Sequence, residues 1–199
     1  LPSVPDEPAL VVATPGAEPV ATGGYAAALL LDGWALLERA DLRAGEEALR
    51  RWAGAAALVR PAADSGVVVL LAAAGLPPVE ALVRWDPAWH AARELAERTE
   101  LRFPPAVALA TVTGDPPAVA SLLRHARLPA GAEVLGPVPV DVRRPGPADP
   151  VEPAVRALVR VATDRRLDLA RALHAAAAVR SARKEPGAVR VQVDPLEVL

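Results

Sequence analysis

The stretch "VALATVTGDPPAVASLLRHAR", Val107 to Arg127, decides how the second half of this 199-residue chain is read. Its opening run, Val107 to Val112, predicts a strand. Asp115-Pro116 then supplies a capping carboxylate and a proline suited to a first helical turn, so a helix follows to Arg127. Working outward, Glu133 to Leu135 reads as a short strand and Val155 to Val161 as another. Asp164 starts a long helix to about Lys184, and Val189 to Val193 is a closing strand. The order βαββαβ predicts a compact α+β split-βαβ sandwich with both helices on one sheet face. Residues 141–153, "DVRRPGPADPVEP", are too proline-rich for a strand interior and are expected to form a loop. "FPP" at Phe103 to Pro105 ends the preceding helix, which places a domain boundary between residues 1–103 and 104–199.

The first half alternates differently. Residues 9–13 and 26–31 ("AAALLL") are short apolar runs between Gly and Pro signals, expected as buried parallel strands. Asp41 is placed to cap a helix from Leu42 to Val59, stopped by Pro61. "GVVVLLAAA", Gly66 to Ala74, reads as a third buried strand. Helices follow over Pro77 to Trp85 and Pro87 to Leu101, the second opened by Asp86-Pro87. This alternation predicts part of an open α/β sheet. Three strands and one helix leave its edges uncovered, so a partner domain upstream is expected, as is suggested by a chain that begins with Leu1.

Composition narrows the chemistry. Hydrophobic residues make up 52% of the chain but aromatics only 3%, so the core must be built of Ala, Val and Leu. The chain has no cysteine, which excludes disulfides, thiolate nucleophiles and Cys-based zinc sites. His90, His125 and His174 lie far apart in no metal-ligand spacing, and each is expected on a helix surface. Trp34, Trp52, Trp85 and Trp89 all fall in the first half, as packing bulk or as a patch where a missing domain docks. No apolar run approaches the roughly 18 residues of a membrane span, and the N-terminal residues lack the basic n-region and cleavage site of a signal peptide. Residues 1–103 hold 9 basic and 14 acidic side chains, against 13 and 10 in residues 104–199, so the second half carries the positive charge.

No glycine-rich phosphate loop with its lysine is present, and no Ser/His/Asp arrangement has supporting context. The informative element is the helix over 165–184. It carries Arg165, Arg166, Arg171, Arg180, Arg183 and Lys184 against one internal acid, Asp168. Two readings stand side by side: a solvated helix face with arginines favoured near the C-terminus by the dipole, or a surface for DNA phosphate or an acidic peptide. Arg165 and Arg166 sit in the first turn, where cations oppose the dipole, which favours a partner there.

Several segments, in order, resemble one family. "ERTELRFPP" (Glu97 to Pro105), "EVLGPVPV" (Glu133 to Val140) and the terminal "VQVDPLEVL" are similar to the helix end, turn and last strand of the bacterial replication-restart family PriA. "DGWALLERADLRAGEEALRRWAG" resembles that family's run into the helix bearing its last helicase motif. The closest likeness is to its Ala/Arg-rich actinobacterial branch. The resemblance implies that residues 1–103 are the C-terminal part of a second RecA-like helicase lobe. Residues 104–199 would be the C-terminal domain that engages branched DNA and single-stranded-DNA-binding protein. It also implies a cytoplasmic protein working with other primosome proteins, whose ATP and zinc sites lie upstream and place no cofactor in this chain.

The same resemblance exposes departures. Active members carry Q-x-x-G-R-x-G-R, whose arginines meet the γ-phosphate. Here Gly54 keeps the first glycine, while Arg51, Ala55, Ala57 and Leu58 occupy the Gln, first Arg, second Gly and second Arg places. An arginine finger contributes roughly 10³–10⁵ in rate, and alanine cannot replace it. Arg60, two positions on, is expected about 200° round the helix and facing elsewhere. In the preceding motif Ala13-Thr14 stand for Gly-Thr, and Pro19-Val20 fall where Lys-Gly belongs. The implied role is a scaffold without motor activity; the alternative is part of an active ATP-dependent 3′–5′ DNA helicase.

Overall fold

The computed structural model describes residues 3–4, 7–31, 33–140 and 154–195. It is a mixed α/β structure that divides into two compact units, residues 1–94 and 95–198. The expected proline-rich loop at 141–153 lies outside the described residues.

In the second unit, Val107–Gly114 forms β1, and Pro116–His125 forms α1 directly after it. Asp115 is extended at the N-cap and Pro116 occupies the first turn, where a missing N–H costs nothing. Glu133–Val140 is β2, Ala154–Ala162 is β3, Arg166–Ala182 is α2 and Val189–Val193 is β4. The sheet order is β2-β3-β1-β4, and every neighbouring pair is antiparallel. It follows that β1 and β2 run parallel with β3 between them, and that β3 and β4 run parallel with β1 between them.

One face of this sheet carries the core. Ala108, Ala110 and Val112 alternate inward from β1 and meet Ala157, Val159 and Val161 from β3. Val119 and Leu122 of α1, with Leu169, Leu173 and Ala176 of α2, close over them. The helical spacing of those five residues is what places both helices on the same face. Small residues in the strands let the helices approach closely, and this suits a core without aromatics.

Two expectations change here. The strand expected to stop at Leu135 runs to Val140, with a register shift between Leu135 and Val138. Gly136 has φ +87° at that irregularity, and Pro137 and Pro139 are tolerated because β2 is an edge strand, where a missing donor breaks no interior ladder. The long helix begins at Arg166 rather than Asp164, because Thr163–Arg165 forms a tighter 3₁₀ turn.

In the first unit, Ala27–Leu30 (β5) pairs in parallel with Val67–Leu70 (β6). Ala44–Ala56 (α3) and Pro77–Arg84 (α4) pack on the inner side through Ala48, Leu49, Trp52, Ala81 and Leu82. Gly33–Leu37 is a short helix, and Pro87–Leu101 (α5) follows α4. The parallel pairing is as expected, but the strands are not buried on both faces: Leu29, Val67 and Val69 are exposed. Residues 9–13 form no strand, with Leu10 at 93% exposure. An apolar run has strand propensity, yet a strand also needs a neighbour to hydrogen-bond with. Trp52 is buried as packing bulk, whereas Trp34 and Trp85 are exposed and Trp89 lies 5.2 Å from the Arg84 guanidinium in a cation–π contact. His90, expected on a helix surface, is instead buried, with no hydrogen-bond partner for either ring nitrogen. The last turns of α5 group with the second unit, where Arg98 donates to the Pro104 carbonyl (3.2 Å).

Candidate functional site

A 17-residue helix is about 25 Å long, so the arginines of α2 form two separate groups. At its start, Arg165 pairs with Asp168 (3.3 Å) and Arg166 with Asp194 (3.1 Å), the latter from the turn after β4. All four side chains are exposed, and such pairs exchange readily with a competing anion. Arg171 lies 3.9 Å from Asp168 and shares the same carboxylate.

The other end is built differently. Arg180 is 6% exposed and turns inward over the chain that follows the helix. Its guanidinium donates to the Pro186 carbonyl (2.8 Å), the Gly187 carbonyl (3.2 Å) and the Glu185 carboxylate (3.3 Å). Glu185 is also bonded by the Ser121 hydroxyl and by His125 Nε2 (3.0 Å), both from α1. The bonds from Ser121, His125 and Arg180 hold its carboxyl down to about 2, well below the usual 4.5, so it stays ionised at neutral pH. Arg180 therefore fastens the turn after α2 to its own helix, and Glu185 fastens that turn to α1.

Gly187 completes the fastening. Its φ is +85°, and a Cβ there would lie 2.8 Å from both the Ala118 Cβ and an Asp115 carboxylate oxygen. That same oxygen accepts the Ala188 N–H (3.2 Å). An open depression of about 670 Å³ lies along this seam, lined in part by Pro117, Arg124, Arg183 and Pro186. Arg183 is the C-cap of α2, and Lys184 follows it with φ +51°.

Sequence reasoning named Arg180, Arg183 and Lys184 but missed Ser121, Arg124, His125 and Glu185. The α1 and α2 contributions are about sixty residues apart in the chain, and only the antiparallel sheet brings them together. Arg124 and His125 in the last turn of α1 gave a weak signal, since cations there suit the helix dipole without any site.

The degenerate motif positions lie in the first unit. Arg51 is bonded to Glu47 (2.7 Å) on the same helix. Bonds from Arg50 and Arg51 also hold the Glu47 carboxyl down to about 2. Ala55 is buried against the core, Ala57 is exposed and Leu58 is partly buried. Gly54 is exposed, with nothing within 4 Å of where a Cβ would project. The helix expected to reach Val59 stops at Ala56, because Val59 bridges to Tyr25 and the Arg60 N–H bonds the Tyr25 carbonyl (2.9 Å). Arg60 is thus off the helix, and the angle expected for it there does not apply. Its Nε instead donates to the carbonyls of Gly23 and Gly24 (3.2 Å each). Of these two arginines, Arg51 is engaged by an acid and Arg60 by backbone. The chain has no cysteine, and no three of His, Asp and Glu gather among the described residues.

The class is therefore a mixed α/β chain whose second unit joins a four-stranded antiparallel sheet, a basic helix and an ionically fastened turn. Residues 99–196 match the primosomal protein N C-terminal domain, and that part of the chain belongs to the family. Along its whole length it is also similar to curated relatives. It is 55% identical over 200 residues to the probable replication restart protein PriA of Mycobacterium leprae, covering 31% of that protein. It is 52% identical over 209 residues to the protein of the same name from Mycobacterium tuberculosis strain H37Rv, covering 32% of it. The chain spans about a third of the length of the curated relatives it matches. Among the described residues, no helix is long and apolar enough to cross a membrane.

Proposed function

We propose that this chain serves DNA replication restart as a binding scaffold, engaging branched or forked DNA and single-stranded-DNA-binding protein without driving a motor. The observation that carries this reading is similarity over the whole chain to proteins named for replication restart, combined with a motif region whose arginines are absent or engaged elsewhere. The interleaved strand order of the second unit supports a split-βαβ domain over residues 104–199. The parallel β5–β6 pair with helices packed on it supports a partial RecA-like lobe over residues 1–103. At the start of α2, the exchangeable pairs of Arg165 and Arg166 suit the acidic C-terminal tail of single-stranded-DNA-binding protein, whose carboxylates would displace Asp168 and Asp194. Other primosome proteins would be recruited beside it, in the cytoplasm.

Titration of the chain with forked DNA and with an acidic tail peptide, each at two salt concentrations, tests the reading. Binding to both at low salt is the expected result, with the peptide lost on Arg165→Gln/Arg166→Gln. Binding to neither refutes it. The rival, an active ATP-dependent helicase, requires fork-stimulated ATP hydrolysis by the longer protein that is lost on Arg60→Ala. Hydrogen bonding of Arg60 to two backbone carbonyls disfavours that outcome.

A further inference from the structure

Pairing is the rule for arginines in the second unit. Arg102 and Arg160 share Glu133, Arg165 and Arg171 face Asp168, and Arg166 faces Asp194. The seam depression departs from that rule. Arg124 and Arg183 both line it and are exposed, and their side chains have no hydrogen bond or ion pair among the described residues. Arg127 and Arg190 are also exposed and unpaired among those residues, but they do not line it.

The carboxylates in the lining do not neutralise these two guanidiniums. Glu185 is occupied by Ser121, His125 and Arg180, and Asp115 accepts the Ala188 N–H. The charge of Glu185 is thus matched by the buried Arg180 beneath it. What remains facing solvent is a pair of planar, permanently charged donors, one at the end of each helix, beside a floor of Pro117, Ala118, Pro186 and Gly187. The turn carrying that floor is fixed by five hydrogen bonds already described and by the close packing of Gly187, so the depression exists before any ligand arrives.

We infer that this depression is a phosphodiester-binding site, in which Arg124 and Arg183 hold the backbone of a single DNA strand. Guanidinium forks match phosphate oxygens in geometry. The depression is open, so a strand crosses it rather than being enclosed as a metabolite would be. No Phe, Tyr or Trp lines it, and its one ring, His125, is held by Glu185, so the contact is to backbone without base stacking and carries no sequence preference. Lys184 lies next to Arg183 in the chain and extends the positive surface. The inference rests on the DNA-binding reading above and assigns the strand to the seam rather than to the neutralised start of α2.

The test is fluorescence anisotropy of the whole chain with labelled oligo-dT across a salt series. Two contacts to a single strand contribute about 1.4 to the slope of log K against log salt, or about 25-fold in affinity at about 0.1 M salt. Arg124→Gln/Arg183→Gln is expected to remove both amounts while leaving the thermal midpoint unchanged. Arg127→Gln/Arg190→Gln removes the same formal charge elsewhere and is expected to leave the slope intact. Equal losses in the two double variants, or an unchanged slope in the first, overturn the site while leaving DNA binding in place. Loss of acidic-peptide binding but not oligo-dT binding in the first variant also overturns it and assigns the depression to a protein partner. No binding of oligo-dT by the unaltered chain at low salt refutes the DNA reading itself.

Discussion

Arg180→Met separates a structural arginine from a binding one. Methionine keeps much of the apolar stem but removes the guanidinium, so Glu185 and the Pro186 and Gly187 carbonyls lose a donor. A neutral hydrogen bond contributes about 0.5–1.5 kcal/mol net, and one to a charged group about 1.5–3. Pro186 and Gly187 are exposed, so water replaces part of what their carbonyls lose. The net cost of removing the Arg180 guanidinium is then about 2 kcal/mol, below the summed range of about 2.5–6 kcal/mol because solvent offsets part of the loss. For a unit of this size that lowers the unfolding midpoint by about 8–16 °C. Circular dichroism on heating measures the midpoint, and amide hydrogen exchange places the loss. Faster exchange is expected in Arg183 to Val193 and the last turn of α1. A variant with an unchanged midpoint and weaker oligo-dT binding would refute the reasoning, because Arg180 would then be a ligand contact.

Two further outcomes follow from the same geometry. The folded-state pKa of Glu185 is depressed to about 2, so its bonds stabilise the fold above about pH 4.5, and that stability is lost as pH falls toward 2. Urea midpoints measured from pH 6 down to pH 2 should fall less steeply in Glu185→Gln than in the unaltered chain; identical acid limbs would show the depression is not real. Gly54→Ala should raise stability by up to about 1 kcal/mol, since alanine is the better helix former and the Cβ position is empty. Urea denaturation followed by tryptophan fluorescence, which reports on Trp52 one turn away or less, checks this.

Much of the fold was legible because its signals are local. Asp115-Pro116 announced α1, the spacing of Leu169, Leu173 and Ala176 gave α2 its buried face, and β1 announced itself as an apolar run. The elements that misread lacked a partner the sequence does not display. Residues 9–13 have strand propensity but no strand to pair with, and the helix through Gly54 ends early because Val59 and Arg60 are captured by Tyr25. The site was legible by half: a cluster of arginines on one helix is visible in the chain, but which of them faces solvent is not.

The sequence by itself determined the element order of the second unit, its aromatic-free core, the absence of cysteine chemistry and the family likeness. Each of these is a property of composition, periodicity or linear motif. Tertiary structure alone decided that Arg180 is a fastener, that Arg165 and Arg166 are already paired, and that Arg124 stands beside Arg183. A guanidinium has the same charge wherever it lies, and its role depends on which acceptors the fold brings within about 3 Å of it. The acceptors of Arg180 lie in the turn after α2 and that of Arg166 in the turn after β4, and packing decides that both turns fold back onto the helix.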